Sequence, residues 1–220
     1  MLKAIKRNLT MFALALASTS AFADDWPGPQ TTEVFSASRT YFVRVIPGNS
    51  IGDTVGFKGA KRGNFAKAEF YHREKDRSYR LVADITLPNP VAPVEFFVAN
   101  SGHVIALDNW HNRGYGQVVV VLAPDGMKVK SYALNELFSD SEIEAFSHSV
   151  SSIHWHETPI FFQQDQKTLL ITTKIGASLE INAQTGVFQY CETIAKAFRC
   201  RATNKDRKWS SYKPISSTPR

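Results

Sequence analysis

Apolar residues along the chain fall into short runs separated by polar breaks, and the spacing of these runs repeats. Three stretches align in register without gaps: EVFSASRTYFVRV from Glu33, EFFVANSGHVIAL from Glu95 and IFFQQDQKTLLIT from Ile160. Phe35, Phe97 and Phe162 coincide, as do Phe42, Val104 and Leu169, and Val43, Ile105 and Leu170. The intervening breaks, Ser38-Arg39-Thr40, Asn100-Ser101-Gly102 and Asp165-Gln166-Lys167, have the composition of hairpin loops. Each stretch is therefore predicted to be a β-hairpin.

The segments after each hairpin also recur. AKAEFYH (66–72) and SYRLVADITL (78–87) come after the first. GQVVVVLA (116–123), a Pro124-Asp125-Gly126 turn and MKVKSYAL (127–134) come after the second. ASLEINA (177–183), a Gln184-Thr185-Gly186 turn and VFQYC (187–191) come after the third. Val118 to Leu122 is apolar throughout, as a strand buried on both faces is. The expected fold class is all-β: three four-stranded antiparallel units, about 33–90, 95–135 and 160–191, with one or two short helices. NELFSDSEIEAF (135–146) is one candidate helix, with Ser139 or Ser141 as N-cap, and ETIAKAFR (192–199) is the second.

Two stretches carry a resemblance. LEINAQTGVFQ (179–189) resembles the strand, Thr-Gly turn and strand of quinoprotein-type β-propeller blades. FFVANSGHVIALDNW (96–110) resembles the first hairpin of a WD40-like blade. The resemblance covers about Glu33 to Cys191 and implies a propeller-like arrangement of blades. The full WD and cofactor-docking signatures are absent, so it carries over no functional residue. Three units are fewer than the 4–8 blades that usually close a ring. An open blade array, strands recruited from elsewhere and a different all-β sandwich all satisfy the pattern.

The N-terminus reads differently from the rest. Lys3, Lys6 and Arg7 precede an apolar stretch, Met11 to Ala17, and Ala21-Phe22-Ala23 supplies a small-x-small cleavage pattern. Residues 1–23 are thus expected to be a signal peptide, leaving a mature chain from Asp24 that is periplasmic or secreted. The apolar stretch is too short to span a bilayer, and no later stretch approaches the length of a membrane span. Loss of three basic residues and no acid reduces the formal charge from +6 to +3. Much of the remaining excess lies in 201–220, expected to be a flexible basic tail. Nucleic acid is not an expected partner outside the cytoplasm. Cys191 and Cys200, the only two cysteines, are expected to pair as one local disulfide in an oxidising compartment.

Candidate chemistry concentrates in loops. If the units are blades, the loop between their second and third strands shares a face with the connections between units. PGNSIGDTVGFKGAKRGN (47–64), DNWHNRGYG (108–116), PNPVAP (88–93) and HSVSSIHWHE (148–157) then meet on one rim. That rim is the expected binding surface, with Lys61, Arg62, Asp108, Asn109, Trp110, His111, His154 and His156 as its candidate residues and Trp110 and Tyr115 as stacking platforms. A competing structural reading has Asp108 and Asn109 capping a turn. His154 and His156 stand two apart, so on a strand both point to one face, a spacing shared with metal ligands. The expected function is a binding module for a protein or glycan partner, with no cofactor, no metal and no catalytic residue; homo-oligomers stay open. The alternative is a metal-dependent extracytoplasmic enzyme using His111, His154 and His156. No G-x-S-x-G, P-loop or H-E-x-x-H motif supports catalysis.

Overall fold

A computed structural model of the chain describes residues 26–194 and 197–201. The expected signal peptide, residues 1–23, and the basic tail beyond Arg201 lie outside the described residues. Four antiparallel sheets and two short helices make up the rest, so the all-β class is met. No closed barrel or propeller ring forms among the described residues.

The first sheet comprises β1 (Thr32–Phe35), β2 (Tyr41–Ile46), β3 (Lys67–Arg73) and β4 (Tyr79–Thr86), paired in chain order. The second comprises β5 (Glu95–Val98), β6 (Val104–Leu107), β7 (Val119–Leu122) and β8 (Lys128–Tyr132), again in chain order. Then come α1 (Leu134–Leu137), α2 (Asp140–Ala145) and a ribbon of β9 (Ser147–His148) with β10 (Ile153–His154). The third large sheet runs β11 (Phe161–Phe162), β12 (Thr168–Thr172), β13 (Ser178–Asn182), β14 (Phe188–Ile194) and β15 (Ala197–Arg201).

The second sheet lies between the other two. Val104, Ala106, Val120 and Leu122 on one of its faces join Val43, Val45, Ala68 and Phe70 of the first sheet in one core cluster. Ile105, Leu107, Val119 and Val121 on the other face join Leu169, Ile171, Leu179 and Ile181 of the third. Strands β6 and β7 are buried at every residue, which is why Val118–Leu122 carries no polar alternation. Each buried Val, Leu or Ile side chain contributes about 1.5–3 kcal/mol.

Turn chemistry repeats from sheet to sheet and explains where glycine is needed. In the second sheet the turn after β7 places Gly126 at φ +81°, where a Cβ would lie 2.6 Å from Cγ2 of Ile85 on β4. In the third, Gly186 after β13 sits at φ +68°, where a Cβ would collide with Cβ of Lys130 on β8. The first sheet uses Arg77 at the same turn position, φ +72°, where the side chain is exposed. Positive φ thus recurs, and glycine is required where the turn presses on the preceding sheet. Gly126→Ala and Gly186→Ala should each cost about 2 kcal/mol or more, because both backbone and space forbid a Cβ. Arg77→Gly should be near neutral. Urea unfolding of the three variants checks the contrast, and equal costs would refute it.

Three expectations need correction. The gapless alignment fails within the second hairpin: Phe97 faces Ile105, whereas Phe35 faces Phe42 and Phe162 faces Leu169. The loop closing at Ala99 and His103 is one residue shorter than those closing at Ser36 and Tyr41 or at Gln163 and Thr168. The helix expected over 135–146 breaks at Phe138, which is extended and fully buried against Phe146, Trp155 and Tyr190. Ser139 then starts α2 with a capping box, its backbone N–H and hydroxyl each 2.7 Å from a Glu142 carboxylate oxygen.

The third correction is ETIAKAFR, which is not a helix: it lies mainly in β14 and β15, giving the third sheet five strands where four were expected. Cys191 and Cys200 face each other across this hairpin as a disulfide. Arg201 comes next, with a guanidinium nitrogen 2.7 Å from Glu142 and its guanidinium carbon 4.2 Å from the Tyr190 ring centroid. Closing so short a loop should stabilise the fold by about 2–3 kcal/mol. The Cys191→Ser/Cys200→Ser variant should lose that amount in urea unfolding. The native chain should gain the mass of two hydrogens on reduction, and free thiols in unreduced protein would contradict the pairing.

Candidate functional site

The loops on one rim of the stacked sheets are tied together by backbone and amide hydrogen bonds. The 47–64 loop bonds to the connection between the first two sheets through Gly48 N–H to Val91 C=O (2.7 Å) and Ser50 N–H to Pro90 C=O (3.4 Å). That connection meets the 108–116 loop where Trp110 N–H donates to Ala92 C=O (2.9 Å). The 108–116 loop in turn receives Ile153 N–H at Arg113 C=O (2.9 Å). The side-chain amide of Asn112 donates to Val55 C=O at 2.9 Å and to Ser151 C=O at 3.2 Å, joining all three long loops. The convergence expected from the repeat pattern is therefore present.

Asp108 is the buried centre of this junction. It is 1% exposed, and its carboxylate accepts from Trp155 Nε1–H (2.9 and 3.1 Å), the Gly114 N–H (2.9 Å) and His156 Nε2 (2.9 Å). Its backbone and that of His111 are left-handed, φ +58° and +70°. Asp and His tolerate this region better than most residues, yet each such position costs on the order of 1–3 kcal/mol. The carboxylate's donors hold the Asp108 turn against that cost. Asn109 is likewise committed to the loop, its Nδ2 donating to Tyr115 C=O (2.7 Å) and its Oδ1 accepting from Asn89 (2.7 Å). Both residues serve the turn, as the competing structural reading has it.

Around this centre lie two adjoining clefts that share Val55, Asn112 and Tyr115. One, about 260 Å³, is mixed in character: Asp53, Thr54 and Gln117 stand over Phe65, Pro88 and Pro90. The other, about 240 Å³, is aromatic, walled by Trp26, Phe57, His111 and Val150. Trp26 lies in the segment before β1 and packs 5.3 Å from Trp110 and 5.9 Å from His111, ring centroid to centroid. Trp110 Nε1–H fixes that segment by donating to Pro27 C=O (3.1 Å), and the Arg113 guanidinium lies 5.7 Å from the Trp26 ring. His111 also meets Phe57 at 5.7 Å, and burial lowers its pKa below the ordinary imidazole value, which keeps it neutral near pH 7.

The other candidates separate. Lys61 and Arg62 share the rim but are exposed and outside both clefts; Arg62 Nε pairs with Asp53 at 3.2 Å. His154 ends β10, half-buried, and His156 is buried on Asp108. The regular strand stops at His154, and adjacent Trp155 and His156 both reach one carboxylate, so the two-residue spacing does not present a pair of ligands. Among the described residues no group of three His, Cys, Asp or Glu side chains is placed to hold a metal ion. Trp110 is half-buried under Trp26 and does not stand free as a platform, whereas Tyr115 does border both clefts.

Sequence reasoning does not single out Trp26, Val55, Phe57 and Val150. The last three are exposed apolar residues in loops, and Val150 is 81% exposed. Apolar residues inside Gly- and Ser-rich loop segments are the available signal. No protein-family model matches the chain, and no curated protein matches it.

Proposed function

We propose that this chain is an exported binding module, an open propeller-like array of three blades that recognises a protein or glycan partner through its loop rim. The observation that carries this reading is the double cleft around Tyr115, where three loops distant in sequence bring exposed aromatic and polar groups together. Loops held on a rigid scaffold are the usual home of binding residues, and concave, largely apolar sites with a few placed polar groups are their usual form. The stacked sheets with recurring turns support the blade description, and the signal-peptide pattern with the disulfide supports export to a periplasmic or secreted location.

The test compares the full chain with a Phe57→Ala/Val150→Asp variant, both positions being exposed enough to spare the fold. Each is immobilised and challenged with the extracytoplasmic fraction of its source cell. A partner retained by the native chain and lost by the variant supports the rim as recognition surface. Equal retention by both, with the fold intact by circular dichroism, overturns it.

A further inference from the structure

The two clefts differ in chemistry, and the difference restricts what spans them. The aromatic cleft offers ring faces and aliphatic side chains. The mixed cleft offers a carboxylate and an exposed amide beside two prolines and a phenylalanine. An occupant of both must present a flat apolar face at one end and a rim of hydrogen-bonding groups at the other. A pyranose has this form: its C–H face stacks on an aromatic ring, and its hydroxyls both donate and accept. Together the clefts reach the range of about 300–1,000 Å³ usual for small-molecule sites.

Resting on the reading of the rim as a recognition surface, we infer that the double cleft binds a short neutral glycan, one sugar ring stacked in the Trp26–Phe57–Tyr115 cleft and the next hydrogen-bonded in the Asp53–Thr54–Gln117 cleft. Among the described residues, two buried polar groups lack a protein partner, one on a residue of each cleft. Thr54, 6% exposed, has an unpartnered hydroxyl, and the Trp26 Nε1–H is shielded and unpartnered as well. Burial of a polar group without a partner costs about 1–3 kcal/mol, so a small shift of either side chain toward a sugar hydroxyl in its cleft would relieve that cost.

Charge and backbone both favour this class over its competitors. Asp53 is balanced by Arg62 and by the Ser50 hydroxyl at 2.6 Å, and His111 is neutral near pH 7, so among the described residues the lining holds no uncompensated anion or cation apart from Arg113 behind Trp26. A peptide that adds as a strand needs free main-chain groups along an edge. Here the N–H groups of Thr54, Phe57, Asn112, Tyr115 and Ile153 are already bonded within the loops.

The experiment titrates the full chain with maltotriose, cellotriose, xylotriose and chitotriose, with trigalacturonate and an apolar peptide pool as competitors, followed by tryptophan fluorescence and calorimetry. At least one neutral trisaccharide should bind saturably. Tyr115→Ala should weaken it by about tenfold or more, and Tyr115→Phe should leave it nearly unchanged. Tyr115 also packs on the core, so Phe57→Ala, at an exposed position, serves as the second variant and should weaken binding severalfold with the fold intact. Binding of no neutral trisaccharide, preference for trigalacturonate or displacement only by peptide overturns the inference. If the rim variant still loses a protein partner in that case, the recognition surface stands and only the glycan is wrong.

Discussion

Asp108→Ala is expected to lower folding stability by about 3–5 kcal/mol, a large share of the 5–15 kcal/mol typical of a domain. The carboxylate is fully enclosed and receives donors from three residues, so its removal strands the Trp155 indole N–H, the Gly114 N–H and His156 together. It also releases the side-chain anchor of a left-handed backbone turn. Asp108→Asn keeps one acceptor for Trp155 and Gly114 and lets His156 accept from the new amide, so its cost should fall to about 1–2 kcal/mol. Urea unfolding followed by circular dichroism separates the two. A cost below about 1 kcal/mol for the alanine variant would return Asp108 to the role of an exchangeable loop residue.

Trp155→Ala should be comparably damaging, about 3–5 kcal/mol, because it opens a cavity under two loops. Its ring is entirely buried, 5.8 Å from Phe138 and 4.5 Å from His156 between centroids, and its N–H is one of the Asp108 donors. Trp155→Phe keeps most of the apolar volume but loses the N–H and two ring carbons, so about 1–3 kcal/mol is expected. Since Trp155 and Asp108 share one interaction, the Asp108→Ala/Trp155→Ala pair should cost less than the sum of its parts by more than about 0.5 kcal/mol. Strict additivity would mean the indole and the carboxylate act independently, contrary to the geometry.

The sheets are legible in the sequence because their rules are local. Alternation and turn composition mark the hairpins, and the unbroken apolar run at Val118–Leu122 marks the strand between two layers. ETIAKAFR misleads for a reason that is also physical. Ala, Lys and Glu favour a helix locally, but the pairing of β14 with β13 and the disulfide to β15 override that preference. The one-residue slip in the second hairpin is invisible because it depends on loop length, not on residue type.

The site is legible only as a set of loops. Their convergence follows from the repeat, but the roles within them do not. Asp108 looks like a recognition residue in DNWHNRGYG; only Trp155 and His156, far along the chain, show it to be enclosed. Trp110 looks exposed until Trp26 covers it from the N-terminal segment. Long-range contacts of this kind leave no periodic trace in the sequence.

Backbone amide shift mapping tests the central claim most directly. Spectra of the full chain are recorded before and after addition of whatever partner the native chain retains, or of the best-binding trisaccharide. Perturbations should concentrate at Val55, Phe57, His111, Tyr115 and Val150, the shared wall and aromatic side of the double cleft. Perturbations confined to the outer face of the third sheet, around Thr168, Glu180 and Gln189, or to the basic tail, would place recognition elsewhere and contradict the account.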